Sequence, residues 1–247
     1  MAVNRKCVFC ENTDLSKEHI FAQWLLKELG IFDNNVSMTH ATFVGMPVSD
    51  RKHPFSKLVN GLVCKKCNNG WMSQLEGDCQ NHIINLMNFE NIENEMEYLK
   101  EHHKTFAKWA FKNVILLNSA TNYNNLVPEN HYKELYFGKI PDGVFVDLAF
   151  SEKDSTLEWR QSHGGMILKA KDIPFNSDII RYNITFQIKS LLVKVAYYES
   201  TYNTFYEDEG AIRLFPQFGV CGTPKVFENI DDFDIHGVFH EYHIETE

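Results

Sequence analysis

Cys7-Val8-Phe9-Cys10 and Cys64-Lys65-Lys66-Cys67 bracket a Glu18-His19-Ile20 tripeptide, and Asn68 directly follows the second pair. Each C-x-x-C turn presents two sulfurs on a tight knuckle. Four thiolates at tetrahedral spacing suit a structural zinc, which needs neither a redox change nor an open coordination position. Two disulfides are the competing use of the same residues. The polar start Met1-Ala2-Val3-Asn4-Arg5-Lys6 does not read as a secretory leader, so it predicts a reducing compartment and argues against them. A structural Zn2+ supplies an apparent ~10–16 kcal/mol, enough to hold a segment too poor in long apolar runs to fold on its own.

The residues between and after the knuckles suit a second kind of chemistry. Hydrolysis of a phosphodiester needs a base for water, a divalent cation on the phosphate and leaving oxygen, and a group that fixes the tautomer of the base. A neutral imidazole at His19 is available as base, because histidine titrates at about 6.5. Glu18 offers a carboxylate oxygen and Asn68 an amide oxygen. Both are hard donors that select Mg2+ or Mn2+ rather than the sulfur-bound metal. At the junction of a strand and a loop, Glu18 and His19 can converge on one phosphate from two sides.

Ser16-Lys17-Glu18-His19-Ile20 after the first knuckle, then Asn60 ahead of Cys64-Lys65-Lys66-Cys67-Asn68-Asn69-Gly70-Trp71, resembles the HNH nucleases of the ββα-metal, treble-clef type. It is similar in particular to bacterial members whose second knuckle continues as C-N-x-G-W. The resemblance spans about residues 5–76. It implies His19 as general base, Glu18 and Asn68 as ligands of a catalytic Mg2+ or Mn2+, Asn60 as the residue orienting the base, and Cys7, Cys10, Cys64 and Cys67 as ligands of a structural Zn2+. Two positions depart from the pattern. Phe21-Ala22 stands where a proline usually follows, and Asn60 lies four residues before Cys64 rather than five, which leaves Asn68 or Asn69 as alternatives for the orienting role. The implied activity is a metal-dependent endonuclease hydrolysing DNA, with a role in defence against phage or mobile DNA. The competing function is a non-catalytic zinc-knuckle module that binds nucleic acid or protein.

The chain has 247 residues and a formal net charge of −9, which looks wrong for a nucleic-acid enzyme until it is divided. Residues 1–75 hold nine Lys and Arg against six Asp and Glu, a net +3, so the remainder carries −12. Attraction for phosphate is therefore concentrated beside the cysteines, and it suffices for only a few phosphate contacts. No run of eighteen apolar residues appears, so no membrane span is expected, and the location expected is cytoplasmic.

These residues must be positioned by local elements. Ile20, Phe21, Trp24, Leu25 and Leu29 recur at helical steps with Gly30 as a stop, and Trp24 and Trp71 read as core residues. The stretch from Phe32 to Lys57, broken by Gly45, Pro47 and Pro54, reads as a loop-rich insertion. Helix is expected onward from Trp71, and the acidic Glu90–Glu101 stretch reads as a boundary. A second amphipathic helix is expected over His103–Asn118, with Phe106, Trp109, Ala110, Val114 and Leu117 inward and Lys104, Lys108 and Lys112 elsewhere. Period-two patterns at Val144–Phe150, Asn183–Ile188, Leu191–Tyr198 and Ala211–Phe215 predict strands. The fold class expected is α+β: a zinc-braced ββα-metal (HNH) module over 1–90, then an α+β domain over 91–247 with a mainly antiparallel sheet. That second domain is expected to sense a signal, dock a protein partner or build a homo-oligomer.

Other chemistry-bearing residues read as structural. Lys65 and Lys66 should point into solvent. Cys79 and His82 share a helix as a buried thiol and a surface imidazole, and His102-His103 reads as a solvated helix start. Cys221 reads as a small core residue, Asp231, Asp232 and Asp234 as solvated loop carboxylates, and His240 and His243 as a fraying tail.

Overall fold

The computed structural model describes residues 5–41, 46–120, 125–164, 166–169, 171, 173, 179–200 and 202–242, so the breaker Gly45 and the tail residue His243 lie outside the described residues. The first knuckle closes through Cys7 N–H donating to Asn12 O (2.8 Å) and Glu11 N–H donating to Cys7 O (2.9 Å). Strands β1 (Leu15–His19) and β4 (Val59–Cys64) pair antiparallel, with Leu15 opposite Cys64 and Glu18 opposite Asn60. The register shifts between Ser16 and Glu18. Val8 N–H donates to Leu62 O (2.9 Å) and sews the knuckle to β4. The chain then enters the second knuckle on a single helical turn, α2 (Lys65–Cys67), passes a wide turn at Asn68–Met72 and continues as α3 (Ser73–Met87).

Helix α1 (Gln23–Glu28) follows β1 and is shorter than the periodicity suggested, but it stops as expected beside Gly30, whose φ is +67°. The expected loop-rich insertion is instead a ribbon of β2 (Asn35–Ala41) and β3 (Pro47–Pro54). Its prolines cap the two ends of β3, where a missing N–H costs nothing to the ladder. Only Val36 and Met38 turn inward, too few apolar residues to register as a strand by pattern.

The acidic stretch expected to form a boundary is helix as well. Phe89 and Asn91 turn the chain with φ of 56° and 51°, and α4 (Ile92–Ser119) then runs for 28 residues. Ile92, Met96 and Leu99 carry the inward face through the acidic run, and Glu95 is itself buried, bonded to His82 (2.7 Å) and Asn85 (2.6 Å). His102 and His103 thus lie mid-helix rather than at a solvated start. His103 Nδ1 meets the Leu214 carbonyl at 2.7 Å. The last turns of α4 are buried on every side, as a helix between two layers must be. That is why Lys112, expected outside the apolar face, is fully buried.

After α5 (Glu129–Tyr136) come β5 (Val144–Ser162), β6 (Met166–Lys169), β7 (Arg181–Tyr198), β8 (Asn203–Glu207), β9 (Ile212–Phe215), β10 (Gly219–Val220), β11 (Val226–Phe227), α6 (Ile230–Ile235) and β12 (Val238–Tyr242). The main sheet has β5 paired with β7, β9 and β11, and a second sheet runs β6-β12-β8. The molecule is therefore mixed α+β with mainly antiparallel pairing; β11–β5 and β12–β6 are parallel. Val144, Val146, Leu148 and Phe150 face α4, whereas Phe145 and Ala149 face the layer built by α6 and the second sheet. No helix among the described residues is long and apolar enough to cross a membrane.

Candidate metal centre and acid–base site

The two knuckles bring Cys7, Cys10, Cys64 and Cys67 together, with all four sulfurs within 4.8 Å of one another. Individual Sγ separations are 3.5 Å for Cys10–Cys64 and for Cys10–Cys67, and 3.9 Å for Cys7–Cys67. A tetrahedral zinc with bonds of about 2.3 Å demands about 3.8 Å between sulfurs, whereas a disulfide demands about 2.05 Å. The cluster thus fits a four-coordinate metal such as zinc and is not a pair of disulfides. Burial pushes the Cys67 thiol up, and the Trp71 side chain acts against that shift. The buried Trp71 Nε1 finds no oxygen acceptor. Among the described residues no other group of three or more His, Cys, Asp and Glu could hold a metal.

Beyond the sulfurs, β1 ends in Glu18 and His19. Glu18 is 9% exposed, and among the described residues its side chain makes no hydrogen bond or ion pair. Burial pushes its carboxyl up to about 7; Lys112 pulls the other way and Glu76 adds to the rise. Lys112 is no partner for it, because its ammonium is committed to Glu76. Glu76 also accepts from Trp24 Nε1 (2.8 Å) and Trp109 Nε1 (3.2 Å), so both its oxygens are used.

His19 is half-buried. Burial lowers its imidazole below the ordinary range, with a backbone hydrogen bond at Ser56 pulling upward, so the ring is neutral at neutral pH. Its Nδ1 lies 3.2 Å from Gln23 Nε2, and its ring centre lies 6.1 Å from that of Phe32. Asn60 is not its partner. Asn60 stands opposite Glu18 across the ladder, donates to the Ser119 hydroxyl and accepts from Leu62 N–H at 2.8 Å. Both halves of that amide are engaged away from His19. The side chain at Nδ1 is that of Gln23, and its signal in the sequence is the four-residue step from His19 to the first residue of α1.

Asn68 Nδ2 donates to Ser16 Oγ (3.2 Å), and that hydroxyl donates to Val63 O (3.0 Å). The amide is thereby anchored to β1 two residues before Glu18, with its oxygen left over as a hard donor. Asn69, the alternative orienting residue, is exposed.

The residues set aside in the sequence keep structural roles. Cys79 is buried, with its thiol pushed well up by burial, and His82 is held by Glu95 and stacked on Tyr98 at 3.8 Å. Lys65 and Lys66 are exposed, and Lys65 pairs with Asp14 at 3.0 Å. Cys221 is half-buried beside Arg213. Asp231, Asp232 and Asp234 are not free loop carboxylates: they lie on α6, bonded to Arg160 (2.6 Å), Glu228 N–H (3.1 Å) and Thr185 (2.6 Å) respectively. His240 sits in β12, not a frayed tail, 3.0 Å from Glu207. Clefts of about 450 Å3 and 720 Å3 open elsewhere, and none of Glu18, His19, Asn60 or Asn68 lines either.

Comparison with protein-family models, with curated proteins and with solved structures finds no match to this chain.

Proposed function

We propose that the N-terminal third of this chain is a zinc-braced, metal-dependent endonuclease centre that hydrolyses phosphodiester bonds in DNA. The observation that carries the reading is Glu18: a largely buried carboxyl whose oxygens have no hydrogen bond or ion pair among the described residues and keep some contact with solvent, so a bound cation would relieve the cost of its charge. It sits next to a neutral imidazole, at the end of a strand that the four-cysteine cluster holds in place. Glu18 and the oxygen of Asn68 would hold Mg2+ or Mn2+. When bound, that ion supplies charge stabilisation at the scissile phosphate and the leaving oxygen.

The chain's own residues do the rest. As placed, the Gln23 amide nitrogen faces Nδ1 at 3.2 Å; with that amide turned end for end, its oxygen would hold the ring proton on Nδ1 and leave the Nε2 lone pair for a water proton. Ser56 and Phe32 limit how far the ring can swing. The anchoring of Asn68 by Ser16 fixes one oxygen donor relative to β1 before any ligand arrives.

A plasmid-nicking assay with Mg2+ or Mn2+ tests this. His19→Ala should lose cleavage by roughly 10²–10⁴-fold, the range for a general base, while its thermal unfolding and zinc content stay unchanged. Equal nicking by the native chain and His19→Ala would remove the hydrolytic mechanism and leave a zinc-knuckle binding module.

A further inference from the structure

We infer that the β2–β3 ribbon is the arm that enters the major groove of duplex DNA, an assignment that names the substrate form and rests on the nuclease reading. The ribbon is a two-stranded antiparallel unit paired only within itself among the described residues. Such a hairpin is marginal alone in water, so its persistence calls for something to pack against. Val36 and Met38 supply the inward contact.

The alternate positions form the opposite face. Asn35, Ser37 and Thr39 on β2 are all exposed, and Ser37 lies directly across from Lys52, also exposed. Thr39 is opposite Asp50, which it meets at 3.4 Å. Short amides, hydroxyls and an ammonium at alternating positions can read the donors and acceptors on base edges. Lys52 makes no ion pair among the described residues, and Lys57 at the base of β3 is exposed as well.

The groove decides between the two double helices. A B-form major groove about 12 Å wide admits a two-stranded ribbon, whereas that of A-form RNA is deep and too narrow. Seven residues of strand reach roughly 24 Å, more than the depth of the groove. The root of the ribbon lies at the proposed base: Phe55 N–H donates to Asn34 O and Ser56 N–H to Phe32 O, each at 2.9 Å, and it is Ser56 and Phe32 that flank His19. A duplex engaged by the ribbon would present a backbone beside that imidazole.

The test measures binding of the full chain to a 30-base-pair DNA duplex, by fluorescence anisotropy with Ca2+ in place of Mg2+, so that no cleavage is needed for the readout. Lys52→Glu should weaken binding about tenfold, and Ser37→Glu with Lys52→Glu further, while Lys104→Glu on the exposed face of α4 should not. The RNA duplex of the same sequence should bind far more weakly than DNA. Unchanged affinity in the double variant, with nicking intact, would overturn the ribbon assignment and leave the nuclease reading standing. Ribbon-dependent binding in a chain that never nicks would do the reverse. Equal affinity for RNA and DNA would sink the groove assignment. So would a shift from dimer to monomer by sedimentation with DNA affinity unchanged, since the ribbon would then serve a second copy.

Discussion

In the C-terminal layers Asp147 faces Arg213 and Lys194 meets Asp208 at 2.7 Å, while Asp208 also holds His236 at 2.8 Å. At the end of β1 Glu18, 9% exposed against 0–1% for Asp147, Lys194 and Asp208, meets no opposite charge among the described residues. Both regions have a polar group where apolar packing would be cheaper. In the first, each charge is matched: Asp147 stands opposite Arg213 on β9, and Lys194, opposite Asp147 on β7, reaches Asp208, on the face of the sheet away from α4. In the second, the nearest ammonium has been claimed by Glu76. Under the proposed reading the difference separates a group kept for the fold from one kept for a ligand, because only the unmatched one would gain when a cation arrives.

Removing the metal should have the largest effect. We expect one zinc per chain by metal analysis, and its extraction by a chelator should lower the thermal midpoint more than any single substitution, given an apparent ~10–16 kcal/mol for a structural site. A melt indifferent to chelation would detach the cysteines from the stability of the hairpin that carries Glu18. Breaking one matched pair comes next. Asp147→Ala leaves the Arg213 guanidinium buried and unpaired, and should cost about 3–5 kcal/mol in urea unfolding. Adding Arg213→Met should recover most of that loss; if it did not, the pair would not be the source.

Glu18 should behave in the opposite sense. Its folded carboxyl titrates at about 7 against 4.5 for the ordinary group, so the folded state holds the proton more tightly and stability falls as pH rises between those values. Glu18→Gln removes that penalty. Without a divalent cation the variant should be more stable than the native chain at pH 8, on the order of 2–3 kcal/mol, with the gap narrowing by about 1 kcal/mol at pH 6. Nicking should vanish in the same variant. A Glu18→Gln chain less stable than native at pH 8 would show that the carboxylate is matched after all. The smallest contrast separates the two amides. Asn60→Ala should destabilise by about 1–3 kcal/mol through its lost bonds to Ser119 and Leu62. Gln23→Ala should leave the melt within about 0.5 kcal/mol and slow nicking, since Gln23 is exposed and touches the imidazole. The reverse pattern would restore Asn60 to the role expected from the sequence.

The four-cysteine cluster was legible because two C-x-x-C turns are local devices: each knuckle fixes its own pair of sulfurs, and only the meeting of the two is tertiary. The strands at Val144–Phe150 and Leu191–Tyr198 were legible because a strand buried on both faces reads as a short, nearly continuous apolar run. Helix α4 was visible only in its second half. Its acidic first turns hid three inward residues, Ile92, Met96 and Leu99, among charges that the sequence pattern weighted more heavily. The ribbon was missed because a strand with two inward side chains has almost no apolar signal.

What lay beyond the sequence was who faces whom. By itself the chain determined the four-cysteine site, the α+β class and the presence of a carboxyl, an imidazole and an amide beside the knuckles in the sequence. The partner of each was set by register and helix packing: the ladder turned Asn60 toward Ser119, the first turn of α1 brought Gln23 to His19, and α3 drew Lys112 to Glu76 and away from Glu18. A single-residue slip in a strand exchanges its two faces, and a hydrogen bond or ion pair is lost within an ångström or two, so such partnerships exist only once distant segments have been fixed together.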